Sequence, residues 1–279
     1  MDLSITAYLS NLTFIVMFLV VIFAAKWLYN LTTSYNTFEQ ITEHKNLALS
    51  TSIMGFVSAN TIIYVSMLIG PSHGLKADVF NVGMYTLLGM GLLLVSRFIN
   101  DKVLLHSFCN SNQLIEKQNM SVGLAQAASY ITSGLIIGGA LMGEGSFISA
   151  LAFYALGQVL LIVFTKFYDI FTKFKLLTEL EKNNIAAATS FSATVIAIGI
   201  ILLHALAGEF VSWQSSLTLF FIDALIAFAA LPLVRILIDK LLFPSINIDN
   251  AIEQEQNIAV ALLEGAIAIS VALVIFFAL

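Results

Sequence analysis

Glu43-His44-Lys45-Asn46-Leu47-Ala48-Leu49-Ser50 is the stretch on which the reading of this chain turns, because its pattern returns three times. It recurs as Glu116-Lys117-Gln118-Asn119-Met120-Ser121-Val122-Gly123, as Glu181-Lys182-Asn183-Asn184-Ile185-Ala186-Ala187-Ala188, and as Gln254-Glu255-Gln256-Asn257-Ile258-Ala259-Val260-Ala261. The asparagines lie 73, 65 and 73 residues apart, so the first and third, like the second and fourth, are separated by 138. Between Glu43 and Gly70, 11 of 28 positions are identical at that offset, and Arg97, Asp101 and Lys102 return as Arg235, Asp239 and Lys240. A repeat of this kind is a tandem duplication, and it decides architecture before any single residue does.

Composition says where the duplicated unit lives. With 59% hydrophobic and only 10% charged residues, and a mean hydropathy of +0.95, the chain has more apolar side chain than a soluble core could bury. It is read as a multi-pass membrane protein with the lipid bilayer as its first partner. A net charge of −5 with dispersed basic residues gives no surface for nucleic acid. The single cysteine, Cys109, excludes an intramolecular disulfide or a multi-cysteine metal site and reads as an inert loop thiol. The N-terminus lacks a basic start and a small-residue cleavage site, so the first apolar stretch is expected to be a retained span.

Around the four motifs, eight stretches reach the roughly 20 apolar residues that cross a bilayer: about 10–30, 47–69, 78–98, 120–142, 146–168, 185–207, 214–236 and 258–279. The fold expected is all-α, with eight transmembrane helices from two parallel four-helix repeats, 1–143 and 144–279. Each half contains two helical hairpins. Eleven of the twelve lysines and arginines fall in connections on one side and only Lys76 on the other. By the positive-inside rule the eleven-residue side is cytoplasmic. Both termini then face outward, the last helix ends at Leu279 without a tail, and the outer turns, Gly70-Pro71 and Gly143-Glu144-Gly145, are short. Even-numbered spans are rich in small residues and odd ones in Phe, Leu, Val and Ile. Small residues let helices approach closely in lipid, so the even spans are expected inside and the odd ones against lipid.

Asn46, Asn119, Asn184 and Asn257 each open an even span. Asn is a good N-cap because its side-chain oxygen accepts from an orphaned helix N–H, and acids suit a helix N-terminus. One reading is a fourfold helix cap; the other is a ring of four polar mouths around a pathway. On these same residues the chain resembles the YjfL-like family of bacterial inner-membrane proteins, domain of unknown function 350. Its members are similar to four-span units whose second and fourth spans open with an Asn-x-Ala-x-Ala type start. The resemblance covers nearly the whole chain. It departs at Gln254, where a glutamate is usual, and at Ser121 and Gly123, where alanines are. It implies fold, membrane and topology and names no substrate, cofactor or activity.

Ionisable groups inside a span are costly and are functional candidates by default. Glu264 lies seven residues past Asn257, and its partner across the duplication is Gln126, seven past Asn119. With the even helices inside, Gln126 and Glu264 are expected to meet near the pseudo-twofold axis, about 10 Å into the layer at 1.5 Å per residue. Asp223 has Tyr85 as its counterpart, so each acid belongs to the second half alone. These three are the candidate pathway or ion-binding residues for a small cation or proton; interhelical hydrogen bonding is the alternative for Glu264, and a packing seam for Asp223. His204 reads as an interfacial histidine. Arg97 with Asp101 and Arg235 with Asp239 stand at i, i+4 and read as salt-bridged, membrane-anchored helix ends, or as a gate at the Asn starts. The sequence carries no Walker loop, Gly-x-Gly-x-x-Gly, His-Glu-x-x-His or nucleophile elbow. No enzyme, cofactor or metal is expected. The functional expectation is a small-cation or proton-coupled channel or transporter with its path between the even helices; the alternative is a non-transporting scaffold or membrane-stress partner acting through its cytoplasmic loops. The chain suffices as a monomer, with a lipid-facing seam left open to a homodimer.

Overall fold

The computed structural model describes residues 5–69, 72–142, 146–208, 210–242, 244 and 246–278. Gly70, Pro71 and residues 143–145, which carry the outer turns and the boundary drawn between the halves, lie outside the described residues, as does Leu279. Among the described residues the structure is helical without strands, and eight helices are long and apolar enough to cross a membrane.

Each of four repeats is a long outer helix, a six-residue helix and a long inner helix. The outer helices are α1 (Ile5–Leu31), α4 (Leu75–Ile99), α7 (Phe147–Phe171) and α10 (Trp213–Leu237). The short ones are α2 (Thr37–Thr42), α5 (Asn110–Ile115), α8 (Leu176–Glu181) and α11 (Ile248–Glu253). The inner ones are α3 (Leu47–Leu68), α6 (Met120–Met142), α9 (Ile185–Leu206) and α12 (Ile258–Ala278). The eight spans read from the sequence are the eight long helices. Helices α4 and α10 do not stop at their α-helical ends: Asn100–Leu104 and Ile238–Leu242 continue as single π-helical turns. At the first of these Leu105 N–H reaches back five residues to Asn100 O, at 3.0 Å.

The repeated motif is a turn and a cap. Lys45, Gln118, Asn183 and Gln256, each immediately before the asparagine, adopt left-handed backbone with φ of 50°, 45°, 63° and 50°. That conformation reverses the chain after the short helix and turns the next N–H back on it. The Asn46 N–H then bonds Gln40 O at 3.0 Å and the Asn119 N–H bonds Gln113 O at 2.8 Å. All four asparagines cap as expected: their Oδ1 atoms accept from the N–H groups of Leu49, Val122, Ala187 and Val260 at 2.9–3.2 Å.

The inner helices form a row rather than a ring. Helix α6 packs against α3 on one side and α9 on the other, and α9 packs in turn against α12. The burial gradient follows: of the most apolar 18 residues, 83% are buried in α6 and 67% in α9, but 50% in α3 and 33% in α12. The outer helices α1 and α10 are the most exposed, at 17% and 18%, but α4 and α7, at 39% and 33%, are buried as much as α12, so the division into inner even and lipid-facing odd spans holds only at the ends of the row. Along the row, glycines let the helices approach closely. A Cβ on Gly134 would stand 2.8 Å from Ala59 Cα, and one on Gly265 would stand 2.5 Å from Ala193 Cβ. Such approach lets dispersion and close packing hold helices together where lipid removes the hydrophobic driving force.

Candidate functional site

Two polar nodes lie where an inner helix meets its outer helices, one in each half. In the second half the Arg235 guanidinium, at the end of α10, reaches two carboxylates: Asp249 of α11, Nη2 to Oδ1 at 2.7 Å, and Glu264 of α12, Nη1 to Oε1 at 3.1 Å. Ser190 Oγ of α9 donates to the other oxygen of Glu264 at 2.7 Å. Because that hydroxyl spends its only proton there, the contact of 2.9 Å between Ser190 and the Tyr168 hydroxyl has Tyr168 as donor. The guanidinium also stands 5.9 Å from the Tyr168 ring centre. Glu264 is 4% exposed and has both oxygens engaged, as a buried carboxylate requires.

The first half repeats this node with one change of charge. Tyr29 of α1 contacts Ser52 of α3 at 3.2 Å, Ser52 donates to Gln126 Oε1 at 2.7 Å, and Gln126 Nε2 donates to Asp101 Oδ1 at 3.0 Å. Tyr29, Ser52 and Gln126 thus occupy the places of Tyr168, Ser190 and Glu264. The Arg97 guanidinium lies 4.1 Å from the Tyr29 ring centre and donates to Thr32 Oγ1 at 2.6 Å. Asp101 also accepts from Asn110 Nδ2 at 3.0 Å. A Gln amide both donates and accepts, so it links Ser52 to the acid Asp101. A Glu carboxylate only accepts, so it needs the cation Arg235. The Tyr130 hydroxyl beside the first node is buried without a partner among the described residues, and burial beside Tyr29 pushes the Tyr35 phenol above its usual range.

These contacts correct three expectations. Gln126 and Glu264 do not meet, because α9 lies between α6 and α12 and each side chain serves its own node. Arg97 with Asp101 and Arg235 with Asp239 do not form salt bridges among the described residues: each partner is taken elsewhere, Asp239 by the Ile248 N–H at 3.5 Å. The four asparagines frame no ring of mouths, since the row is open. Asp223, on α10 about 18 Å from Arg235 at the helical rise, is half-buried and joins neither node. Of the functional groups, sequence reading missed Tyr29, Ser52, Tyr168, Ser190 and Asp249. The serines carried a signal, standing at the 138-residue offset; the tyrosines are shifted by one because the connection after α8 is one residue shorter than that after α2.

The asparagines do a second job. Asn46 Nδ2 donates to Leu114 O of α5 at 2.7 Å, Asn119 Nδ2 to Leu180 O of α8 at 2.8 Å, and Asn184 Nδ2 to Ile252 O of α11 at 2.9 Å. Each cap therefore satisfies a C-terminal carbonyl of the next repeat's short helix, which has no partner within its own helix.

Residues 2–141 and 142–279 each match the family described as Domain of Unknown Function (DUF350). The chain belongs to this family. It carries two DUF350 units in tandem, and each contributes one polar node. A UPF0719 transmembrane protein of Aquifex aeolicus (strain VF5) is 24% identical over 175 residues, which are 61% of this chain and 63% of that protein. The DUF350 chain thus spans less than two thirds of that relative's length. No solved structure matches.

Proposed function

We propose that this chain is a non-transporting membrane scaffold, whose repeats lock a rigid row of helices and present the motif-bearing face to partners. The observation that carries this reading is the backbone approach of the inner helices at Gly134 with Ala59 and at Gly139 with Leu203: backbones that close leave no path between them. The bilayer is the plasma (inner) membrane of a bacterium, with the motif-bearing face cytoplasmic and both termini outside; the distribution of eleven basic residues against one supports that orientation. Exposed Cys109, the chain's single cysteine, lies in the connection between α4 and α5. A membrane-impermeant maleimide is expected to label it in inverted vesicles and not in intact spheroplasts; the opposite pattern reverses the orientation.

A second reading, proton or small-cation exchange, is favoured by one specific observation. Glu264 and Arg235 line a cavity of about 30 Å³ with Tyr168, Thr194 and Pro232, room for about one water. The exchange then uses the flank of the bundle and not the seam between inner helices. Proteoliposome flux separates the two readings. The scaffold is expected to pass no cation or proton above empty liposomes, in wild type or Glu264→Gln; flux present in wild type and lost in a folded Glu264→Gln variant establishes exchange and overturns the scaffold.

A further inference from the structure

The row of repeats is left open at both ends by the groups that join it internally. At the α12 end, Asn257 Nδ2 has no partner among the described residues, and Asn257 is only half-buried, whereas Asn46, Asn119 and Asn184 are 0%, 2% and 0% exposed. At the other end nothing among the described residues donates to the carbonyls of Ile41 and Thr42 that close α2. Ile41 itself is 37% exposed, while its counterparts Leu114, Leu180 and Ile252, each under the preceding repeat, are 2%, 0% and 0%. One end has a spare donor and the other spare acceptors.

The helix faces tell the same story. On α6 the stripe Ala128, Thr132, Leu135 and Gly139 is buried against α9, and Thr132 Oγ1 donates across to Val195 O at 3.0 Å. The same stripe on α12, 138 residues on, is Ala266, Ser270, Leu273 and Phe277, and all four are exposed. Ser270, lacking a neighbour, turns its hydroxyl back to Ala266 O at 2.7 Å. Opposite, the α3 positions matching Leu203 and Leu206 of α9 are Val65 and Leu68, 47% and 42% exposed.

We propose that copies of this chain associate head to tail, α12 of one copy continuing the row onto α2 and α3 of the next, with Asn257 donating to the Ile41 carbonyl. The joint reproduces the α6–α9 joint at the centre of the chain. It is heterologous, since two different surfaces meet, and it builds a ring where its rotation closes and a filament where it does not. Phe277 stands where α6 has Gly139, and Thr61 where α9 has Gly199. The helices therefore meet closely at the motif-bearing face and splay toward the other.

In the internal joint Ser121 N–H donates to Asn183 Oδ1 at 3.1 Å, and the matching pair across copies is Ala259 and Lys45. The test places cysteines there in a Cys109→Ser background. Lys45→Cys and Ala259→Cys chains co-expressed in membranes are expected to give a disulfide-linked dimer on mild oxidation, while either alone gives none, and the doubly substituted chain is expected to give a ladder of covalent oligomers. The intrachain pair Ser121→Cys with Asn183→Cys, oxidised in parallel, sets the conditions. Absence of the mixed dimer where the intrachain pair links overturns the proposal; so does a dimer formed by either single variant alone, which marks an isologous pair. The result does not depend on whether the chain conducts.

Discussion

Arg235→Leu is expected to destabilise the protein by about 3–5 kcal/mol, the cost of leaving a buried charge without its partner. Glu264 is 4% exposed and, among the described residues, takes its one cationic contact from Arg235; of those partners Ser190 then remains to it. Asp249, whose side chain is 17% exposed at the start of α11, loses less because water reaches it. Glu264→Gln alone is expected to cost only about 1 kcal/mol, on the scale of one hydrogen bond, since Arg235 keeps Asp249 and the node becomes like that of Gln126. The double variant Arg235→Leu with Glu264→Gln is therefore expected to be more stable than Arg235→Leu by about 2 kcal/mol, a coupling of about 3 kcal/mol once the cost of Glu264→Gln alone is included, at the upper end of the range for residues in contact. Unfolding of the four species in detergent gives the cycle. Equal losses for Arg235→Leu with and without Glu264→Gln would show that the guanidinium acts through Tyr168 and packing instead.

Most of the architecture was legible before the structure because the quantities that set it are local. Eight apolar runs of bilayer length gave eight helices, and an Asn before each small-residue run gave four caps that accept from the third helical N–H. What the repeat did not disclose was closure. Identical joints between successive repeats specify the step from one to the next, and whether four steps make a ring or a row depends on the angle of each step, which no residue type reports. Placing Gln126 and Glu264 together assumed closure, and α9 keeps them apart. The salt bridges expected at i, i+4 failed for a different reason: in the first half each charge is engaged by groups outside its own helix, Tyr29 and Thr32 for Arg97, Gln126 and Asn110 for Asp101. The second half shows the limit of counterparts, since Asp249 aligns with Ser111 and is called for only once a Glu replaces Gln126.

The two jobs of the repeated asparagine separate cleanly at the open end of the row. At position 184 the side chain caps α9 through Oδ1 and ties α11 through Nδ2, with a further bond of 2.9 Å to the buried Glu179 carboxylate. At position 257 the side chain makes only the cap among the described residues. Aspartate is as good an N-cap as asparagine, yet it has no N–H to give. Asn257→Asp is thus expected to change the stability of the monomeric, detergent-solubilised chain by less than about 0.5 kcal/mol. Asn184→Asp is expected to cost about 3 kcal/mol or more, because the Ile252 carbonyl loses its donor, Glu179 keeps only Lys182 among the side chains described, and a second carboxylate is set against Glu179. Alanine removes the cap at both sites, adding about 1 kcal/mol at each. If Asn184→Asp and Asn257→Asp proved alike, the tie between repeats would hold no part of the row together, and the asparagine would be a helix cap and nothing more.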